Sequence, residues 1–347
     1  MEASDFYNSY LKGDLSFINK STIDEIIFNQ NLPENKAYLE AMRQMIDINP
    51  EDSEFIRLVK TCRLDSINKL QTIDYESNPY YRNISFSDNK IGDWEISYNT
   101  YYPYEGFIYK DVISQPSDLY AEYTFFGYFT SYFRYLTVMQ KNQVWMSITP
   151  HEINTMQPAI DLVGGSVAVF GLGLGYFPYM ISLKSNVKRI VIVEKDPEVI
   201  SLFTDFILPQ FSHREKITIV QDEAFEYAHN KMNKDKFDFA FVDLWKNEFD
   251  GLSMYLRMKK NEKINTGTQF LYWIEDSLVV MIRRCLLTLI DEELGGSTDE
   301  DYKKAGNVFD KCINRFHFLL KNQKINSYAD ILSLLAKDNL LRLSDLV

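Results

Sequence analysis

Three cysteines in 347 residues, Cys62, Cys285 and Cys312, are too few, too scattered and odd in number for a disulfide scaffold. They fit the reduced thiols of a cytoplasmic protein. Histidine is as sparse. His151, His213, His229 and His317 lie far apart, no two share a helix face at ligand spacing, and no metal site is expected. Basic charge is short too. The formal net charge is −12, without a Lys/Arg-rich run, which disfavours nucleic acid as a partner because phosphate contacts need a basic face. No apolar run approaches the ~18 residues of a membrane span. The longest, "SLVVMI" from Ser277, meets Arg283 and Arg284. The opening "MEASDFYNSYLKGD" lacks the basic and then apolar stretches of a secretory signal.

Aromatic side chains are plentiful instead, at 15% of the chain, and 46% of it is hydrophobic, ample for a core. The length suggests about two domains. "STIDEIIFNQNL", "ENKAYLEAMRQMI" and "SEFIRLVKTCRLDSINKL" place apolar residues at helical spacing. "YRNISFS" and "DWEISYNTYY", flanking the turn-rich "DNKIG", and then "EGFIYKDVI" read as strands. Residues 118–140, "DLYAEYTFFGYFTSYFRYLTVMQ", read as one long aromatic helix. This region, 1–144, is expected to serve as a substrate lid or a homodimer interface, with plain core as the simpler alternative.

The pattern changes at Thr149. "TPHE" reads as a capping box, with Thr149 as N-cap, Pro150 at N1 and Glu152 at N3. Beyond it, strands and helices alternate: "SVAVFG", "RIVIVE", "KITIVQD", "FDFAFVD" and "TQFLYWIE" are strands, with helical segments between them. Strands this apolar imply a parallel, doubly wound α/β sheet of five or more strands, covered on both faces. It spans 145–276, and a helical extension, 277–347, follows.

Ligands of such sheets bind at the carboxyl ends of the strands. Here those ends carry Gly171, Gly173 and Gly175, then Glu194, Asp222, Asp243 and Glu275. A lone acid there is more often a helix cap; four beside a glycine loop make a site the better reading. The spacing is G-x-G-x-G. Tyr176 stands where the dinucleotide fingerprint needs a small residue, and no Lys-Ser/Thr follows to make a phosphate loop. Glu194, 19 residues past Gly175, is placed to accept both hydroxyls of a ribose.

"VFGLGLG", "VIVEKDPEVI", "IVQDEAF" and "FDFAFVDLW", in that order, resemble the class I S-adenosylmethionine-dependent methyltransferases. The resemblance implies a Rossmann-like fold and S-adenosylmethionine as cofactor. It implies that Gly171, Gly173 and Gly175 let the backbone approach the methionine part. Glu194 would hold the ribose, Lys195 and Asp196 would flank the adenine, and Asp222 would accept from its amino group beside Glu223 and Ala224. Asp243 would lie near the sulfonium and serve as catalytic base. Trp245, just past it, sits where such enzymes place substrate contacts, or else anchors the next helix.

The sequence departs from the family at Val169, where many members carry an acid two places before the first glycine. The Asn/Asp-Pro-Pro-aromatic motif of amino-group methylases is absent, and the acceptor expected is a small molecule or peptide. "VEKDPEVI" also resembles the spermidine synthases, aminopropyltransferases of the same fold, but Leu174 replaces the acid of their glycine loop. A cofactor-binding scaffold without turnover is the remaining alternative.

Overall fold

The computed structural model describes residues 18–45, 49, 51–61, 63–86, 89–295, 313–314, 316–318, 320 and 325–344. Among the described residues three helices come first: α1 (Lys20–Gln30), α2 (Glu34–Met45) and α3 (Ser53–Thr61). The Asn19 side chain starts α1 by accepting the Thr22 amide at 3.1 Å, and Asn31 ends it in the left-handed conformation. α3 is shorter than its sequence pattern. Leu64–Ser66 tightens into a 3-10 turn, and β1 (Asn68–Leu70) leaves to pair with a later strand.

"YRNISFS", expected as a strand, contains the end of a helix. After α4 (Thr72–Glu76) comes α5 (Pro79–Asn83), with Pro79 at N1 and the Asn78 side chain accepting the Tyr80 amide at 2.9 Å. These local start signals outweigh the β-preference of the residues that follow. Six strands then run in succession: β2 (Asn89–Ile91), β3 (Trp94–Tyr101), β4 (Gly106–Ile113), β5 (Glu122–Phe129), β6 (Phe133–Gln140) and β7 (Gln143–Ser147). Part of the turn-rich "DNKIG" is thus itself a strand, paired with β3.

The expected aromatic helix at 118–140 is two strands, β5 and β6. β5 lies between β1 and β4; β6 lies between β3 and β7. Four successive residues are buried in each, so both faces are covered and the alternation that marks a strand is erased. Aromatic and β-branched side chains then favour the pleat. Lys141 and Asn142, at φ 51° and 63°, make the tight turn into β7.

The second half builds the main sheet. Its elements are α6 (Pro150–Leu162), β8 (Gly165–Phe170), α7 (Tyr176–Ser182), β9 (Val187–Glu194), α8 (Pro197–Leu202), β10 (Ile217–Gln221), α9 (Ala224–Asn230), α10 (Met232–Asp235), β11 (Phe239–Val242), α11 (Glu248–Ile264), β12 (Gln269–Tyr272) and α12 (Glu275–Gly295). α13 (Tyr328–Leu335) and α14 (Lys337–Ser344) follow. The sheet is parallel throughout, in the order β10-β9-β8-β11-β12. This is the Rossmann-like α/β arrangement. No sixth strand joins it among the described residues.

β8 is the middle strand, with Val167, Ala168, Val169 and Phe170 sealed from solvent. Burying side chains of this kind stabilises by about 1.5–3 kcal/mol each for Val and Phe, which fixes the strand at the centre. From β8 the chain first moves out to β9 and β10, then returns to β11 on the other side. The order therefore reverses between β8 and β11, where a crevice opens at the carboxyl ends. Trp94, Phe133 and Leu136 of the antiparallel sheet belong to the same packed core as Val169 and Phe241. No described helix is long and apolar enough to cross a membrane.

Candidate functional site

The glycine loop leaves β8 with backbone that a side chain would obstruct. Gly171 sits at φ +94°, and a Cβ there would lie 1.9 Å from the Asp243 carbonyl oxygen. Gly173, at φ +50°, would put its Cβ 2.4 Å from the Met146 sulfur. The first glycine is therefore demanded by the neighbouring strand's own backbone, and the second by its left-handed backbone, with a side chain from β7 lying against it. Gly171, Leu172 and Gly173 form one wall of a cavity with about 820 Å³ of empty space, partly open to solvent. Gly175 is not in that wall. It caps α7, and its Cα faces the Phe203 ring.

Glu194 ends β9 and lines the cavity. Its Oε1 accepts the amides of Lys195 (2.8 Å) and Asp196 (2.9 Å), and its Oε2 accepts the Leu172 amide (3.2 Å). Burial raises its pKa, and these three donors pull against that rise. A carboxylate offers about four acceptor sites. Three are in use, so one remains on Oε2 rather than the two that a grip on both ribose hydroxyls needs.

Lys195, Asp222, Glu223 and Ala224 line the same cavity. Asp222 accepts the Glu223 amide at 3.0 Å and pairs with Lys231 at 2.5 Å. Glu223 is the N-cap of α9, its Oε2 accepting the amides of Phe225 and Glu226. Asp196 lies outside the lining. It caps α8 through the Glu198 amide and accepts the Trp94 indole N–H at 3.0 Å, tying the antiparallel sheet to the rim. Glu275 has also left the rim. It opens α12 and receives the Tyr255 hydroxyl (2.8 Å) and the Lys337 ammonium (2.7 Å).

Asp243 follows β11 and faces the cavity with part of its surface. Protein crowds the rest, and burial pushes its carboxyl up to about 7. Trp245 anchors the next helix and also borders the cavity. Its ring packs on Gly251 of α11, where an added Cβ would come within 2.7 Å, and it also lines the cavity. Its indole N–H is buried without a partner.

Sequence reasoning missed Glu152. Thr149 does cap α6 by accepting the Glu152 amide, but the Glu152 carboxyl does not complete the box. It enters the cavity wall, and its Oε2 is buried without a partner. Burial raises it well above the usual carboxylate range, and the charge on Asp243 raises it further. For Asp243 the cause is burial. The remaining walls include Trp145, Met146, Lys246, Met254 and Trp273. The Lys246 ammonium sits 4.4 Å from the Trp145 ring centre, joining β7 to the segment after β11. Among the described residues no His/Cys/Asp/Glu cluster could hold a metal ion.

Fold and rim thus define a Rossmann-like α/β protein with an acid-lined cavity at the reversal of strand order. No protein-family model and no curated protein matches the chain. Solved structures similar to parts of it include the spermidine synthase of Thermotoga maritima, at 14% identity, 36% of this chain and 49% of that one, with a TM-score of 0.27. They also include a SAH-bound methyltransferase of Podospora anserina, at 15% identity, 51% and 71%, TM-score 0.31. A third is the O-methyltransferase of Bacillus cereus in complex with SAH, at 12% identity, 51% and 71%, TM-score 0.30. The chain spans about half the length of the spermidine synthase it matches.

Proposed function

We propose that the protein is a methyltransferase that takes S-adenosylmethionine as donor and a small molecule or peptide as acceptor. One observation carries the reading: Gly171, Gly173, Glu194, Asp222 and Asp243, from four successive strand ends, line one cavity. The fit is chemical. Bare backbone at Gly171–Gly173 admits close approach, Glu194 keeps one acceptor site for a ribose hydroxyl, and Asp222 offers carboxylate oxygens for an amino group. A bound donor would supply a methyl group already activated by its sulfonium. The chain's task is then to align the acceptor and take its proton, for which Asp243, held near 7, is suited. Trp145 and Met146 wall the acceptor side in this reading, and residues 145–276 hold the donor.

Aminopropyl transfer is the second reading. Glu152 and Asp243 favour it, since they bring into the cavity acids that the glycine loop lacks at Leu174. Calorimetry with S-adenosylmethionine and with its decarboxylated form separates the two. Preference for the intact donor, followed by transfer of label from its methyl group to a metabolite pool, supports methyl transfer. Preference for the decarboxylated donor supports the other.

A further inference from the structure

α5 is little more than one turn, yet its two tyrosines reach two segments that wall the cavity. Consecutive helix residues point about 100° apart, so neighbours on one turn serve separate surfaces. Tyr80, sealed from solvent, donates its hydroxyl to the Leu174 carbonyl at 2.5 Å, inside the glycine loop. Tyr81 donates to the carbonyl of Ile148, which lies between Met146 and Glu152. Leu172 and Gly173 line the cavity from the first segment; Trp145, Met146 and Glu152 line it from the second. Further contacts fix α5 on the loop side. The Asn78 amide donates to the Tyr176 hydroxyl at 2.9 Å, and the Tyr179 hydroxyl to the Pro79 carbonyl at 3.3 Å. The Tyr80 ring stands edge-on to the rings of Tyr176 and Tyr179. Burial raises the phenols of Tyr80 and Tyr81 well above their usual range, so both remain protonated donors.

The glycine wall is thus pinned on both sides of Gly173. Glu194 takes the Leu172 amide, and Tyr80 gives to the Leu174 carbonyl. We infer that α5 is a brace that sets the two walls relative to each other, with Tyr80 and Tyr81 as positioning residues for the ligand between them. Neither tyrosine lines the cavity. Each acts through backbone, Tyr80 through Leu174 and Tyr81 through Ile148. A buried carbonyl needs a donor wherever it lies. What sets this pair apart is that one turn supplies both donors and that each carbonyl belongs to a different wall. A wall released from its hydrogen bond samples other arrangements, and apparent affinity falls with the population of the competent one. The inference deepens the reading above, and its ligand arm rests on that reading.

Tyr80→Phe and Tyr81→Phe each remove one hydroxyl and keep the ring. Tyr38→Phe is the control. The Tyr38 hydroxyl donates to the Tyr104 carbonyl at 2.6 Å, also buried, in the separate core of the N-terminal helices. Hydrogen exchange on the full chain without ligand is expected to speed up at residues 171–176 in Tyr80→Phe and at 145–149 in Tyr81→Phe. In Tyr38→Phe it should change at neither. S-adenosylhomocysteine is then titrated well below the melting temperature of every variant. The first two variants are expected to lose about three- to tenfold in affinity, the equivalent of one net hydrogen bond, and the control none. A purely structural role would lower the melting temperature of all three and leave affinity unchanged. That result overturns the inference, as does unchanged exchange at either wall. If wild type does not bind S-adenosylhomocysteine, the donor reading fails instead, and the exchange pattern still decides the brace.

Discussion

The Leu172 amide donates to Glu194 Oε2 at 3.2 Å, so the glycine loop is held by the acid that ends the next strand. The other carboxylate oxygen takes the two amides that begin the turn toward α8. Glu194 therefore shapes the rim as well as offering a contact to a ligand.

Glu194→Gln tests that double duty. Its amide nitrogen cannot accept, so at least one backbone N–H loses its partner, at a cost of about 1–3 kcal/mol. Unfolding in urea is expected to show a lower midpoint at unchanged slope. A midpoint equal to wild type would leave Glu194 with no role in holding the loop.

Asp243 predicts a pH dependence of stability. Its folded pKa is about 7, above the unfolded value of about 3.9. The unfolded chain ionises first as pH rises, so stability is lost between those two values and then levels off. Glu152, raised for the same reason and facing the same cavity, adds in the same direction. Asp243→Asn removes the part that Asp243 contributes. The variant should gain on wild type by about 1–2.5 kcal/mol from pH 5 to pH 8, less where water reaches the carboxyl. Denaturation at the two pH values measures it, and a constant difference would contradict the assignment.

The same variant probes chemistry. With an acceptor in hand, Asp243→Asn is expected to bind donor within a few-fold of wild type and to turn over about 10²-fold more slowly. Wild-type rate should rise with pH and level off above about 7. Undiminished turnover in the folded variant would leave positioning as the protein's contribution.

Two glycine substitutions should differ in severity. In Gly171→Ala the new methyl meets the Asp243 backbone carbonyl, which cannot move without breaking the sheet. In Gly173→Ala it meets the Met146 sulfur, the end of a flexible side chain. Gly171→Ala is expected to lower the melting temperature strongly or prevent folding. Gly173→Ala should cost about 1–2 kcal/mol, mostly backbone strain, with the steric share recovered by adding Met146→Ala. Equal losses at both positions would contradict the geometry.

The sequence alone determined the second half of the fold. "VAVF", "IVIV" and "FAFV" are apolar runs that a sheet covered on both faces buries, "ITIV" is the partly exposed edge strand, and the acids after them follow directly in the chain at the carboxyl ends. It did not determine residues 118–140. There the aromatics are buried on both faces, and partner strands from 68–70, 94–101, 106–113 and 143–147 supply the pairing that a local pattern does not contain. Glu152 read locally as a helix cap, since Thr149 and Pro150 give that signal within four residues. Only the tertiary fold, which packs α6 against β4 and α7, brings its carboxyl into the cavity that Asp243 also lines. Gly171 was legible as a glycine loop, but its cause was not: the atom that excludes a side chain there is the carbonyl of Asp243, 72 residues later, brought close by the pairing of β8 with β11. Periodicity and caps act within a few residues and can be read along the chain. Contacts between strand ends exist only once the sheet has closed around β8.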